Sequence, residues 1–215
     1  MRCFLLLALL AVVLIPPPGI SGPFLGNTSG GIPPLGGGSR DEGLRAWKRI
    51  EAVVMHPRCV NCHVGPDNTP MWTLVGEAGT RPHGMDINAG ASRSGAQELP
   101  CGTCHTTSTT PNTVAHAPPH AGIPWQLAPV DFVWFGKTGG EICRQMRDPK
   151  RNGNRDAAGL VAHLQHDAAL NGFIPWAWSP GGGRSTPPGT FEDHVRDITI
   201  WGSAGQPCPG DPKPQ

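Results

Sequence analysis

The segment Cys59-Val60-Asn61-Cys62-His63 decides how this chain is read, because Cys101-Gly102-Thr103-Cys104-His105 repeats its pattern further on. Both are C-x-x-C-H, the haem-attachment signature. Two cysteines three positions apart, within one turn, reach the two vinyl groups on one porphyrin edge and form thioethers. The next residue then lies below the ring, where its imidazole nitrogen binds iron as the proximal ligand. Cys59, Cys62, Cys101 and Cys104 are therefore the expected attachment points for two covalent haem c groups, with His63 and His105 on the irons. Three other uses of paired cysteines compete. Four thiolates can hold a structural zinc ion, but a His follows each pair and the N-terminus reads as an export signal. Disulfides within each pair would close strained, reducible loops. A thioredoxin-like redox pair needs a βαβ context that the flanking sequence does not supply.

Working outward, Cys143 and Cys208 are the mature-chain cysteines left over, and in an oxidising compartment they most simply pair with each other. For the far side of each iron, the chain offers His56, His83, His116, His120, His163, His166 and His194, with Met55, Met71, Met85 and Met146 as thioether candidates. A lone His is more often a surface or capping residue than a ligand. His83 and Met85 lie in a stiff, Gly-hinged loop between the two haem segments. His163 sits beside Leu160 and Leu164 on what reads as the apolar face of a helix, where a buried imidazole needs a partner. His83 is assigned to one iron and His163 to the other, with Met85, His56 and His116 next in line. A Met sixth ligand would raise the potential relative to bis-His.

Gly and Pro number 30 and 25 in 215 residues, while charged residues make up 15%. Such a chain buries less apolar area per residue than an ordinary domain and needs disulfides, metal or a large cofactor to order it. The 17 basic and 16 acidic residues give a net charge of +1, which points away from nucleic acid. Arg2, the apolar run Cys3–Ile15 and the small-residue exit at Gly19–Gly22 match a secretory signal peptide over 1–21. The exit lacks a clean Ala-x-Ala, so an uncleaved anchor is the alternative. Residues 22–39 read as a Gly/Pro-rich tether, 40–210 as the haem domain and 211–215 as a tail.

Within the domain four modest helices are expected, framing long irregular loops. The first starts near Ser39 or Asp41, carries Leu44, Trp47, Ile50 and Val54 on one stripe, and stops at Pro57. The second follows the capping-box spacing Thr138-Gly-Gly-Glu141 and ends before Pro149. The third runs from about Asp156 to Asp167. The fourth opens at Thr190, with Phe191, Val195, Ile198 and Trp201 on one side, and is closed by Gly202 and Gly205. No alternating strand run stands out between Gly65 and Lys137. Loops of that length are reasonable where they wrap a cofactor.

Taken in order, HPRCVNCH (56–63), RPHGM (81–85), CGTCH (101–105), the HAPP and PWQLAP pieces (116–129), CRQMRDPKRNGNRD (143–156), His163 with Asp167, Trp176-Ala-Trp178 and AGQPCP (204–209) resemble the small exported di-haem c-type cytochromes that carry the name isoquinoline 1-oxidoreductase subunit. The resemblance covers roughly 42–209 and leaves the tether outside. It implies small cytochrome c-like helices around two haems, and an electron carrier, not an enzyme, serving a partner oxidoreductase in the periplasm or another exported compartment. No stable membrane span is expected after signal removal. The runner-up is a small di-haem peroxidase or oxidase with one iron left open, in which His116, His120 or Glu98 would serve as distal acid–base groups.

Overall fold

Four amphipathic stripes in the sequence fold into the helical frame of the molecule. The computed structural model describes residues 37–76, 79–96 and 99–213, all within the unit Ile32–Gln215. The expected signal segment (1–21), nearly all of the tether and Glu98 lie outside the described residues. The frame consists of α1 (Arg40–Val54), α3 (Gly139–Arg147), α4 (Ala157–Ala169) and α6 (Phe191–Ser203), joined by two one-turn helices, α2 (Pro57–Val60) and α5 (Phe173–Trp176). The described fold is therefore mainly α.

Three of the frame helices start with a reciprocal capping box, Ser39 with Glu42, Thr138 with Glu141 and Thr190 with Asp193. Each satisfies two backbone donors that the first turn leaves free. Asp156 caps α4 through the Gly159 N–H at 2.7 Å. Pro57 ends α1 and at once opens α2 from N1, the position a proline tolerates.

The apolar stripes meet in one core. Trp47, Ile50 and Val54 of α1, Ile142 and Met146 of α3, Leu160 and Leu164 of α4, and Ile198 and Trp201 of α6 are all buried there with Trp134. Trp47 and Trp201 have ring centres 5.3 Å apart. Gly43 lets α1 approach the end of α6 closely, since a Cβ there would stand 2.6 Å from both Ala204 Cβ and Pro207 Cγ. Arg49 of α1 forks onto the buried Asp197 of α6, with Nη2 to Oδ1 at 2.7 Å and Nε to Oδ2 at 2.9 Å. Cys143 and Cys208 form a disulfide with their Cα atoms 5.7 Å apart. It ties α3 to the chain beyond α6, as expected from the two leftover cysteines.

Where sequence offered no strand, two very short antiparallel ladders occur. β1 (Met71–Trp72) pairs with β2 (Arg81–Pro82), and β3 (Gly95–Ala96) with β4 (Leu99–Pro100). Two residues per strand are too few to leave an alternating pattern. Among the described residues no helix is long and apolar enough to cross a membrane.

Candidate functional site

The first Cys/His segment grows directly out of the core. α2 carries Cys59 and Val60 against the helical cluster, while Cys62 packs on the separate small cluster of Val64, Ala89 and Leu127. The backbone around it is clamped. His63 O accepts from the N–H groups of Trp134 and Phe135 at 2.8 and 3.0 Å, and Cys62 O from Ala128 N–H at 3.2 Å. The buried Arg93 donates to Val64 O, Gly65 O and Asn68 Oδ1 at 2.9 to 3.0 Å, pinning the turn that follows His63. Neither the Trp134 clamp nor Arg93 was visible in sequence, because the first acts through main-chain groups and the second from 30 residues away.

His63 is held at Nδ1 by Phe132 O at 2.9 Å and stacks on Trp134, with ring centres 3.6 Å apart. His105 repeats the arrangement: Nδ1 meets Pro119 O at 3.0 Å and the ring stacks on Trp125 at 4.3 Å. A carbonyl at Nδ1 requires the proton there, which leaves the Nε2 lone pair available to a metal. Burial lowers both imidazoles to a pKa of about 4, opposed by those carbonyls. Both rings are thus neutral at physiological pH, the form a metal ligand needs.

The four segment cysteines are unpaired. Burial pushes the Cys59 thiol up to about 12 and the Cys62 thiol to about 11, and raises Cys101 as well. These groups stay as neutral thiols in dry surroundings. Cys104 is exposed.

The second segment lines an open cleft with a cavity volume of about 60 Å³, with His83, Cys101, Cys104, His105, Trp125 and Leu127 among its walls. Gly95 makes room for it: a Cβ there would lie 2.5 Å from Cys101 N, where β3 turns back to let Ser94 O accept from Cys101 N–H at 2.9 Å. Across the cleft, His83 follows β2 and is fixed by its N–H to Pro70 O at 2.8 Å and its Nδ1 to Gly84 O at 2.9 Å. The His83 and His105 rings have centres 6.2 Å apart. An imidazole nitrogen sits about 2 Å from a bound metal and its ring centre about 1 Å farther, so two imidazoles on opposite sides of one metal have centres roughly 6 Å apart. The pair has that spacing, and each ring has its Nδ1 occupied.

The remaining candidates fall elsewhere. Met85 also lines the cleft, but it is 82% exposed with a left-handed φ of 64°. His56 caps α2, its Nδ1 accepting from Arg58 N–H at 3.2 Å. His116 is exposed, and Met146 is core. His163 departs from the apolar-face expectation: Leu160, Leu164 and Asp167 are the buried positions of α4, and His163 lies exposed beside them. It is still close enough that its charge lowers the pKa of His63, and burial lowers its own. The small cluster on which Cys62 packs includes Ala89 and Leu127, which also line the Cys101 cleft.

A porphyrin needs axial ligands, thioether cysteines, space for its ring and donors for its carboxylates. The described residues offer free Nε2 atoms and buried, unpartnered N–H groups on Trp72, Trp134, Trp176 and Arg58. Those donors fit the group. Among the described residues no three His, Cys, Asp or Glu side chains gather as a ready-made metal cluster. Comparison with family models, with curated proteins and with solved structures found no match.

Proposed function

We propose that this chain is an exported di-haem c-type cytochrome that carries electrons to or from a partner oxidoreductase. The observation that carries the reading is the His83–His105 pair, spaced for one metal between them, in the cleft that also holds Cys101 and Cys104. A thiol adds across a vinyl C=C with no leaving group, so the attachment needs only the four unpaired cysteines. The bound haem supplies one-electron chemistry. The chain holds His63 and His105 in the Nδ1–H tautomer through Phe132 and Pro119, and stacks the rings on Trp134 and Trp125. His163 is the proposed second ligand at the first segment.

Intact mass and visible spectra of protein matured by haem-attachment machinery in an exporting host test this. Two haem increments and six-coordinate low-spin bands are expected. His83→Ala should convert one of the two irons to a high-spin species in electron paramagnetic resonance. A mature mass without haem increments overturns the proposal.

One observation favours a second reading at the first segment: His163 lies at an exposed position of α4. An iron left open there would bind cyanide or peroxide, as in a small di-haem peroxidase or oxidase. A high-spin fraction in the wild type, together with peroxide turnover, would select that reading.

A further inference from the structure

Arg58 and Arg184 are two cations that feel each other's charge and have no anionic partner among the described residues. Arg58 precedes Cys59 and places its guanidinium carbon 5.9 Å from the centre of the Trp176 ring. Its Nε is buried without an acceptor. Arg184 donates to the main-chain carbonyls of Asn112, Ala117, Pro180 and Gly181, all of them uncharged. Neither forms a salt bridge among the described residues. Burial lowers the pKa of both, and the Arg184 charge lowers Arg58 further. Withdrawing two like charges from water is strongly unfavourable unless a counter-ion joins them.

Both arginines lead to the second segment. Trp176, under Arg58, packs edge-on against Trp125 at 5.2 Å, and Trp125 stacks on His105. Arg184 is tied to residues 112 and 117, in the loop that also carries Pro119, the acceptor for His105. The Trp176 indole N–H is a further buried donor without an acceptor.

We propose that Arg58 and Arg184 form a carboxylate-binding pair that takes the propionate side chains of the porphyrin attached at Cys101 and Cys104. This rests on the di-haem reading above. A guanidinium presents a planar fork that matches a carboxylate with two hydrogen bonds. A porphyrin of this type brings two carboxylates to the two cations, and the local charge then balances. Arg58 would link the two halves of the site, since its neighbour Cys59 belongs to the first haem.

The test compares Arg58→Met, Arg184→Met and the corresponding Lys substitutions with wild type, after intact mass has counted the haems. If wild type carries none, the di-haem reading fails and not the pairing. In protein with two haems, each Met variant should lose about tenfold in the reduction equilibrium of one couple, which is ~59 mV for one electron. The other couple should stay in place, Lys should recover most of the loss, and the propionate bending band in the resonance Raman spectrum should shift. Where a Met variant does not mature, the Lys variant is read for the same Raman shift. Unchanged potentials and band, equal shifts of both couples, or a lowered potential with an unmoved band would each overturn the proposal. So would a wild-type potential that follows added phosphate, since the pair would then hold a free anion.

Discussion

The two Cys/His segments share a pentapeptide pattern but sit in different kinds of structure. The first is an extension of the helical core: α2 leaves α1 after a two-residue break, Cys59 and Val60 pack on the main cluster, and Trp134, Phe135, Ala128 and Arg93 lock its main chain. The second is built from turns. Two-residue ladders lead into it, Cys104 is exposed, and a cleft opens beside it. The same pattern recurs in both, and the surroundings set how tightly each is held. Buried, less solvated haems and more exposed ones differ in potential even with identical axial ligands. On the proposed reading, such a pair gives electrons a direction within one chain.

The largest expected effect separates the two segments directly. Replacing Cys59 and Cys62 by Ala should remove one haem increment and unsettle the helical frame, because the first group would complete the core wall next to Cys59 and Phe132. We expect more than the ~0.5–3 kcal/mol usual for a substitution, or roughly 10 °C or more in the unfolding midpoint of a domain this size. Replacing Cys101 and Cys104 should remove the other increment while the far-ultraviolet melt stays close to wild type. Mass spectrometry and circular dichroism on both variants decide it, and equal losses of stability would show that the halves are not held differently.

A smaller effect tests whether the disulfide serves the frame alone. Cys143 and Cys208 close a loop with a sequence separation of 65. Cross-linking that length stabilises by about 4 kcal/mol on the chain-entropy model. Cys143→Ser with Cys208→Ser should lower the midpoint by roughly 10 °C. Both haem increments should remain, since the bond lies in the core away from the second cleft. Loss of the Cys101-attached group in this variant would mean that the two regions fold as one unit.

The same contrast explains what was legible in the sequence. Helix stripes and caps are local, so α1, α3, α4 and α6 were readable from Trp47, Ile50, Ile142, Leu160 and Ile198 with Ser39, Thr138, Asp156 and Thr190 ahead of them. The disulfide followed from elimination. The two C-x-x-C-H segments stand out in the sequence because the chemistry proposed for them fixes the spacing. The loops between 65 and 137 were not, since their order comes from main-chain groups such as Pro119 O and Phe132 O and from Arg93, none of which leaves a periodic signal. His163 was misplaced on its helix because Leu160 and Leu164 also flank an exposed position. Asp167, whose side chain accepts from Ile174 N–H at 2.7 Å, takes the buried place instead.

His194 gives the smallest effect and the cleanest one, because it lies in the helical half and among none of the proposed ligands. It is 7% exposed on α6, beside Trp178 at 5.7 Å, and its Nδ1 finds no partner. Burial lowers its pKa to about 4, with Asp197 opposing. The unfolded chain, near the ordinary value of about 6.5, binds the proton first. Between those two values the unfolded state therefore holds more protons than the folded one, so stability falls as the pH drops. The contribution is intact above about pH 6.5 and should be down by roughly 2 kcal/mol at pH 5. Denaturant titrations of wild type and His194→Phe at pH 7 and pH 5 check it: the substitution should flatten the difference by about that amount. An unchanged acid dependence would place the titrating group elsewhere, with the buried His63 the next to test.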